Sequence, residues 1–410
     1  MNAKTAKPVS RNFLTLDDID VSGKRVVVRM DLNVPMVGGR VTDNTRVVRL
    51  LPTLKELLKK KAKIIILSHL GRPKGAYVPD LSLAPIVDAL SQALGMPVKF
   101  GVDCVGKEAE KAVSELKAGE VIILENVRFH AGEEKNTPEF AKALAAHGDL
   151  YVNDAFSCSH RAHASTVGIT HYLPFVAGRL MEEELYNIET YLTKPERPFT
   201  AVVGGSKVST KLALLESLVG KVDNLIIGGA MANTFLLAEG YKVGASLCEP
   251  DLIDTAKRIR AKAKEKGCTI YLPVDVMASE HFAAHAVSSV APVANVPDKS
   301  MMLDVGFDSV KLFAEVICAS RTLIWNGPLG AFETSPFDAA TVMLTRVAAR
   351  QTAEGKLKSI AGGGDTVSAL RHAGLAEQFS YLSTAGGAFL EWLEGKTLPG
   401  VLALQTKKAA

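Results

Sequence analysis

The chain has 410 residues, which is too long for one typical hydrophobic core, so two domains are expected. A hydrophobic content of 47%, a charged content of 22% and a formal net charge of +4 are typical of a globular protein and argue against a nucleic-acid-binding protein. Five scattered cysteines without C-x-x-C spacing, no secretory signal and no apolar run of membrane-spanning length indicate a reducing cytoplasm.

In the first half, short apolar runs rich in β-branched residues alternate with stretches of helical spacing. Such runs predict strands that are buried on both faces of a sheet. The predicted strands are 24–29, 63–67, 120–124 and 150–153. Between the first two, Leu50, Leu54 and Leu57 fall on one helical face, and Pro52 is placed in the first turn of that helix.

A connector is predicted over 178–198. Its apolar residues share one helical side, its first turn is acidic, and prolines interrupt it at Pro195 and Pro198. An amphipathic helix followed by a Pro-flanked segment in mid-chain predicts two lobes joined by a semi-rigid linker.

The second half repeats the strand–helix alternation. Its predicted strands are 200–203, 224–228, 269–272, 322–326, 359–362 and 380–383. The alternation predicts an α/β fold of two lobes, each a parallel sheet flanked by helices in a Rossmann-like three-layer arrangement, joined by an interdomain helix. The predicted bounds are 1–178 for the first lobe, 179–198 for the helix and linker, and 199–394 for the second lobe.

Four loops at predicted strand ends in the first half each carry an arginine. These residues are Arg46, Arg72, Arg128 and Arg161. One such arginine is most simply a surface residue or part of an ion pair. Four at the carboxyl ends of parallel strands indicate a small, multiply charged anion, because guanidinium groups match phosphate and carboxylate geometry.

Histidines accompany these arginines at positions 69, 160 and 163. The spacing of His160 and His163 allows a metal site, but no H-E-x-x-H pattern supports one. Hydrogen bonding to an anion, or simple packing, is the favoured interpretation for all three.

Glycine-rich loops follow the strands of the second half, at 202–212, 228–235, 326–333, 362–366 and 384–389. Five such loops at strand ends indicate a lobe that brings its backbone close to a nucleotide. Lys207 and Lys211 are spaced i, i+4 near a predicted helix start, an arrangement that is unfavourable unless an anion lies between them. The segment 393–397 ends like a P-loop, but Leu390 occupies a required glycine position, and no G-x-G-x-x-G lies at a strand–helix junction.

Taken in order, nine motifs resemble phosphoglycerate kinases over essentially the whole chain. They are RMDLNVP, SHLGRP, LENVRF, SHRAHAS, GGSKVSTK, GGAMANTF, WNGPLGAFE, GGGDT and STAGGAFLEWLEG. The resemblance implies reversible, Mg²⁺-dependent phosphoryl transfer between 1,3-bisphosphoglycerate and ADP, giving 3-phosphoglycerate and ATP. It also implies a monomer, hinge closure near 178–198 and 390–397, and a tail at 395–410 that packs on the first lobe.

Site residues are carried over motif by motif. The resemblance implies substrate contacts by Asp31, Asn33, Arg46, His69, Arg72, Arg128 and Arg161. It implies nucleotide contacts by Gly205, Lys207, Lys211, Gly228, Gly229, Asn326, Pro328, Glu333, Gly363, Gly364, Asp365 and Thr366. Asp365 is the expected Mg²⁺ ligand, and the expected catalytic groups are Arg46, Lys207, Gly364 and Gly387.

Four positions depart from the residues that are common in the family. Met30 and Leu32 suggest altered packing, whereas Ser206 and Thr210 alter the loop beside the lysines. Two rival functions would each leave a distinguishing mark in the sequence. A non-catalytic nucleotide-binding protein would be expected to lack Arg46, Lys207 or Asp365, and a nicotinamide dehydrogenase would be expected to carry G-x-G-x-x-G.

Overall fold

A computed structural model describes residues 12–383 and 385–405. Three parts of the sequence predictions fall outside these residues. They are most of the N-terminal segment expected to lack a signal sequence, Thr384 of the 384–389 loop, and the end of the predicted tail at 406–410. Within the described ranges, no helix combines the length and the apolar character that crossing a membrane requires.

The first half forms a six-stranded parallel sheet with the order β5-β6-β4-β1-β7-β8, and a small hairpin, β2-β3, follows the first strand. The strands are β1 (Arg25–Arg29), β2 (Met36–Val37), β3 (Arg40–Val41), β4 (Lys63–Leu67), β5 (Lys99–Gly101), β6 (Val121–Leu124), β7 (Leu150–Asn153) and β8 (Phe175–Ala177). The helices of this part are α1 (Thr45–Lys59), α2 (Ile86–Leu94), α3 (Gly106–Ser114), α4 (Ala131–Glu134) and α5 (Pro138–Ala145).

Both faces of this sheet are covered by helices. Val26 and Val28 of β1 pack in one apolar cluster, while Val27 packs in another with residues from the opposite face. Successive side chains of a strand point to opposite faces, so a continuous apolar run is what a sheet buried on both sides requires. Four described strands of this sheet match the predicted runs, whereas β5 and β8, with three residues each, were not predicted.

The position of Pro52 differs from the prediction. Helix α1 begins at Thr45, so Pro52 lies in its interior rather than in its first turn. Proline cannot donate to the carbonyl four residues earlier, which belongs to Val48, a half-exposed residue. The remaining apolar face of Val47, Leu50 and Leu54 still packs against the sheet and holds the helix in place.

The chain then enters α6 (Arg179–Ile188), which continues as a π-helical segment at Glu189–Thr193. By contacts within the chain, residues up to Tyr186 together with those from Thr397 onward form a compact N-terminal unit. Residues Asn187–Lys396 form a compact C-terminal unit.

The C-terminal unit contains a second six-stranded parallel sheet, ordered β11-β10-β9-β15-β16-β17, and a three-stranded antiparallel sheet, ordered β13-β12-β14. Its strands are β9 (Phe199–Val203), β10 (Asn224–Ile227), β11 (Thr269–Tyr271), β12 (Asp275–Ser279), β13 (Ser289–Pro292), β14 (Met301–Val305), β15 (Thr322–Asn326), β16 (Lys358–Gly362) and β17 (Tyr381–Ser383). Its helices are α7 (Leu212–Leu218), α8 (Ala230–Ala238), α9 (Ile253–Lys266), α10 (Phe307–Ala319), α11 (Ala339–Ala353), α12 (Gly364–His372) and α13 (Gly387–Leu393).

The predicted fold class is confirmed: each half of the chain forms a parallel sheet flanked by helices. All six predicted strands of the second half are present. The antiparallel sheet was not predicted, because its strands mix buried and exposed residues instead of forming continuous apolar runs.

The last helix of the described residues, α14 (Pro399–Leu402), belongs to the N-terminal unit. The Gly400 N–H donates a 2.9 Å hydrogen bond to the carbonyl oxygen of Ser159. Gln405 pairs with Phe13 in an isolated β-bridge. These contacts attach the end of the described chain to the same unit as its beginning.

Candidate active site

The predicted anion-binding residues of the N-terminal unit lie in loops at one edge of its sheet. Strands β6, β4, β1 and β7 are consecutive neighbours, and all of them run in the same direction. Their carboxyl ends therefore bring together the loops that carry Asp31, His69, Arg128 and Arg161. Arg46 enters the same region from the second residue of α1.

Hydrogen bonds tie three of these loops together around Arg46. Its Nη1 donates to Asp31 Oδ2 at 2.7 Å and to the Asn33 carbonyl oxygen at 3.0 Å. Asn33 Oδ1 accepts the Gly71 N–H at 3.0 Å, and the Gly71 carbonyl oxygen accepts Arg128 Nη1 at 2.8 Å. The residues that follow β1, β4 and β6 are thus held in one fixed arrangement.

Arg128 is the most enclosed of the four predicted arginines. Its side chain is only 8% exposed, and its Nε–H makes no hydrogen bond within the described structure. The carboxylate of Glu134 lies 3.6 Å from that nitrogen, too far for a good hydrogen bond. A buried guanidinium with an unused donor is favourable when an anionic ligand completes it.

Two predicted arginines have looser positions. Arg161 is half-buried and close enough to Arg128 and His163 to lower the pKa of both groups. Arg72 is exposed, directly after Gly71. Among the described residues, neither side chain makes a hydrogen bond or an ion pair, so both guanidinium groups are available to a ligand.

His69 and His163 are neutral at physiological pH. Burial, followed by the charges of Arg29 and Arg128, holds the pKa of His69 well below its ordinary value. Burial and the charges of Arg128 and Arg29 lower the pKa of His163 to about 3. The positive charge of the site therefore resides in arginines, which stay protonated at all relevant pH values.

Asp31, His69 and Cys158 bring possible metal-ligand atoms within 4.8 Å of one another. The surrounding charge opposes a cation there, because Arg29, Arg46 and Arg128 are all close enough to His69 to lower its pKa. The carboxylate of Asp31 is also already engaged by Arg46. The arrangement favours an anion over a metal ion.

The C-terminal unit contains a cavity of about 390 Å³ at the carboxyl ends of its parallel strands. Its wall includes the predicted nucleotide contacts Gly205, Gly229, Pro328, Glu333 and Asp365. Apolar side chains supply another part of the wall, among them Leu247, Val276, Phe282, Met302 and Leu329. A largely apolar cavity that also has a few acidic and backbone polar groups in its wall suits a nucleotide, which combines an apolar base with polar groups.

Beside the cavity, Lys211 lies in a polar cluster. Its Nζ donates to the Gly204 carbonyl oxygen and to Asn326 Oδ1, each at 2.6 Å. Asn326 Nδ2 in turn donates to the Gly362 carbonyl oxygen at 2.7 Å. Burial lowers the pKa of Lys211 to about 8, and the charge of Asp365 acts in the opposite direction.

Close approaches of backbone explain several glycines of this unit. The Gly228 N–H donates to the Val203 carbonyl oxygen, and the Gly229 N–H donates to the Leu329 carbonyl oxygen. These hydrogen bonds fix the turn between β10 and α8. Gly363 has a φ of 102°, and a Cβ there would meet Asn326 Nδ2 at 2.8 Å. Glycine is therefore required for the sharp entry into α12.

The remaining predicted groups lie at helix starts or in the loops before them. Thr366 Oγ1 accepts the Gly327 N–H at 2.7 Å, which links α12 to the loop after β15. Gly364 and Gly387 are the exposed first residues of α12 and α13. Asp365 follows Gly364 and is exposed, and its carboxylate makes no hydrogen bond to any described residue.

The two lysines do not share a helix face, unlike the arrangement that the sequence suggested. Residues 207–211 form a loop, and α7 begins only at Leu212. Lys207 is exposed, whereas Lys211 turns inward to carbonyl groups that stabilise its charge. The structure therefore places one ammonium group at the surface and the other in an enclosed polar cluster.

A comparison with known families and structures identifies the chain. Residues 16–396 match the family model described as phosphoglycerate kinase. The chain belongs to the phosphoglycerate kinase family. It is 59% identical over 397 residues to the phosphoglycerate kinase of Methylorubrum populi, covering 97% of this chain and 99% of the relative. It is 58% identical over 391 residues to that of Cereibacter sphaeroides, covering 95% and 98%.

Solved phosphoglycerate kinase structures give the same result. The one from Coxiella burnetii has a TM-score of 0.88 at 42% identity and covers 96% of this chain and 98% of its own. The one from Pyrococcus horikoshii has a TM-score of 0.82 at 30% identity with the same coverage. The chain is a phosphotransferase that interconverts 1,3-bisphosphoglycerate and ADP with 3-phosphoglycerate and ATP.

Several residues of the N-terminal site were missed by sequence reasoning. Ser157 donates a 2.5 Å hydrogen bond to Asp31, while Arg29, Glu133 and Ser165 form a buried polar group beneath His69. Arg29 alone carried a signal, because a charged residue that ends a strand buried on both faces must have partners.

Proposed function

We propose that the N-terminal unit binds 3-phosphoglycerate or 1,3-bisphosphoglycerate through the arginine cluster. Arg72, Arg128 and Arg161 bind the non-transferred phosphate and carry most of the charge. At the hydroxyl and carboxylate end of the substrate, Asp31 accepts a hydrogen bond. Asn33 and His69 each donate one. The single observation that carries this proposal is the buried, incompletely bonded guanidinium of Arg128 beside Arg29 and Arg161.

In the C-terminal unit we assign the nucleotide to the 390 Å³ cavity. The base would pack against the apolar wall, Glu333 would accept hydrogen bonds from the ribose, and the phosphates would lie towards Asp365. Gly205, Gly228, Gly229, Asn326 and Pro328 shape the backbone around the nucleotide. Lys207, Lys211, Gly363 and Thr366 lie towards its phosphates, with Lys207 and Lys211 contributing positive charge.

The residues present fit a magnesium ion at the phosphate end. Asp365 offers an exposed carboxylate on the cavity wall with no hydrogen bond to a described residue, and carboxylate oxygen is a preferred ligand of Mg²⁺. Bound together with the nucleotide, the ion would neutralise phosphate charge. The acid at the start of α12 is then compatible with an anionic ligand.

Positioning and charge stabilisation account for the chemistry. In the direction of ATP use, a carboxylate oxygen of 3-phosphoglycerate attacks the γ-phosphorus, the bond to the β,γ-bridging oxygen breaks, and ADP leaves. The attacking carboxylate is ionised at pH 7, so no general base is needed. Arg46 and Lys207 would neutralise the transferring oxygens, while the N–H groups of Gly364 and Gly387 would supply fixed donors.

In-line transfer requires the two bound substrates to meet and water to be excluded. We therefore propose that closure about the 178–198 and 390–397 segments accompanies turnover. Small-angle X-ray scattering would contradict this if the radius of gyration did not decrease with both substrates present. We also propose a cytoplasmic monomer; the five free thiols fit a reducing compartment, and light scattering would detect an oligomer.

The proposal is tested by a coupled assay with ATP, Mg²⁺ and 3-phosphoglycerate. Release of ADP should require both 3-phosphoglycerate and the metal. Calorimetry should then assign each substrate to its unit: Arg128→Ala should weaken the binding of 3-phosphoglycerate but leave ATP binding unchanged. Loss of both affinities in a folded variant would contradict the assignment.

A further inference from the structure

Beneath the substrate site of the N-terminal unit lies a buried arginine that no substrate contact requires. Arg29 is the last residue of β1 and is fully buried. Its Nε donates to Ser165 Oγ at 2.7 Å, its Nη1 donates to the Met30 carbonyl oxygen, and its Nη2 lies 3.1 Å from His69 Nδ1. Contacts from all three of its nitrogens fix the guanidinium in one orientation.

The contact with His69 determines which ring nitrogen holds the proton. A guanidinium has only donors, so Nδ1 of His69 must be the acceptor. A neutral imidazole that accepts at Nδ1 carries its hydrogen at Nε2. The Cys158 thiol lies 3.9 Å from the same Nδ1 and, if it donates, requires the same tautomer.

We propose that Arg29 is a positioning residue that locks His69 in the neutral Nε2–H form, so that this N–H is the donor offered to the anionic substrate. The proposal rests on the substrate site proposed above. It adds a residue that acts through His69 and assigns a direction to the hydrogen bond that His69 makes.

The contacts of Glu133 and Ser165 define the donor and the acceptor of each hydrogen bond that leads to Arg29. Glu133, also fully buried, accepts the Ser165 hydroxyl at 2.6 Å and the Ser165 N–H at 2.9 Å. The Ser165 hydroxyl has one hydrogen, which goes to Glu133, so its oxygen is free to accept from Arg29. The series Glu133, Ser165, Arg29, His69 thus has one donor and one acceptor at each step, and a buried carboxylate balances the buried cation.

The charges around His69 maintain the neutral form. Arg29 and Asp31 face it from β1 and the loop that follows, Arg46 from α1, Arg128 from the loop after β6, and Cys158 and His163 from the loop after β7. The positive groups outnumber Asp31, whose charge is already paired with Arg46. A proton on Nδ1 would also place two donors against each other in a buried position.

The free enzyme gives the first test. Two-bond ¹H–¹⁵N spectra of the full-length chain labelled at histidine, with His69→Gln used to assign the signal, should show a protonated Nε2 and an unprotonated Nδ1. The pattern should not titrate between about pH 5 and pH 9, whereas an ordinary histidine titrates near pH 6.5. A protonated Nδ1, or titration in that range, would overturn the proposal whether or not 3-phosphoglycerate binds at this site.

Arg29 variants test the cause. In Arg29→Met, the His69 signals should shift to a mixture of tautomers, and KM for 3-phosphoglycerate should rise about tenfold with a smaller change in kcat. Arg29→Lys, which keeps a charged donor, should restore the Nε2–H signal. Should Arg29→Met fail to fold, Ser165→Ala removes the acceptor that orients Arg29 and should give the same mixture. An unchanged tautomer in the folded variants would show that Arg29 does not set it.

A matched pair at position 69 tests the use of the donor. The amide nitrogen of Gln can occupy the place of Nε2, whereas that of Asn corresponds to Nδ1. We expect His69→Gln to retain a KM for 3-phosphoglycerate within about threefold of wild type, and His69→Asn to lose tenfold or more. Equal losses in both would mean that the substrate does not use the Nε2–H. If the spectra of the free enzyme still show that form, the tautomer assignment stands and only the substrate contact fails.

Discussion

Arg46 donates a 2.7 Å hydrogen bond to the carboxylate of Asp31, and the same carboxylate oxygen accepts the hydroxyl of Ser157. The arginine assigned to the transferring phosphoryl group is thus held in place before any substrate arrives. About one-third of its side chain is exposed, so the guanidinium can still reach a ligand. A guanidinium donor that is already in position needs little reorganisation when charge develops in the transition state.

Replacing Arg46 should affect turnover more than binding. For Arg46→Ala we expect kcat to fall about 10³-fold, by analogy with arginine fingers in other phosphoryl-transfer enzymes. The coupled assay measures this directly. Arg40→Ala is the matched control, because Arg40 is an exposed arginine of the neighbouring hairpin, and it should leave kcat unchanged. A kcat near that of wild type in Arg46→Ala would remove Arg46 from the mechanism.

Nucleotide affinity should depend on pH through Lys211. Burial lowers the pKa of this base to about 8, so the free enzyme loses the Lys211 charge as the pH rises through that value. We expect KM for ATP to rise about tenfold for each pH unit above 8. KM for 3-phosphoglycerate should stay flat over the same range, because the arginines keep their charge.

Lys211→Met supplies the control for this pH dependence. The variant should show weaker ATP binding at pH 7 and no further loss between about pH 8 and pH 9. A pH profile that survives the substitution would assign the titration to another group.

Asp365 should govern the dependence on magnesium. We expect Asp365→Asn to lower turnover with Mg-ATP about a hundredfold, while calorimetric binding of 3-phosphoglycerate remains unchanged. Asp254→Asn is the matched control, since Asp254 is also an exposed acid in the first turn of a helix of the C-terminal unit. Full activity of Asp365→Asn at limiting Mg²⁺ would exclude Asp365 as a ligand of the ion.

The stability of the N-terminal unit should fall as Asp154 ionises. Asp154 is fully buried, and its Oδ1 accepts the N–H groups of Leu180 and Met181 at the start of α6. Burial raises the pKa of this carboxyl from 3.8 to about 6, so the folded state holds the proton more tightly than the unfolded state. The free energy of unfolding should therefore decrease as pH rises from about 4 to about 6.

Urea unfolding of wild type and Asp154→Asn at two pH values measures this effect. The difference in their free energies of unfolding should shift by about 2 kcal/mol in favour of the variant between about pH 4.5 and pH 7. Asp149→Asn should show no comparable shift over this range, because a hydrogen bond from Arg25 lowers the pKa of Asp149, so its stabilisation is lost only as pH falls below about 4. Parallel shifts in both variants would contradict the burial of charge at Asp154.

The strands were predictable because their chemistry is local. A run such as KIIIL at 63–67 has no polar side for water, so it must be buried on both faces wherever the rest of the chain lies. The predicted position of Pro52 was wrong and the antiparallel sheet was missed, because both depend on packing that is not local in the sequence. A well-packed apolar face tolerates the lost hydrogen bond in α1, and strands with mixed exposure carry no periodic signal.

The features of the candidate site also divide into those that the sequence predicts and those that only the structure shows. Arginines at strand ends and glycine-rich loops are visible as residue types in order, and they indicated an anion and a nucleotide. The assignment of Asp365 as a metal ligand came from the family resemblance. The sequence determined these components and the α/β class, because charge and hydrophobicity belong to each residue. Only the tertiary structure decided that Lys207 is exposed while Lys211 is enclosed, and that Arg29, Ser165 and Glu133 meet beneath His69. Those relations join residues up to 136 positions apart, and only the packed sheet brings such distant groups within hydrogen-bond distance.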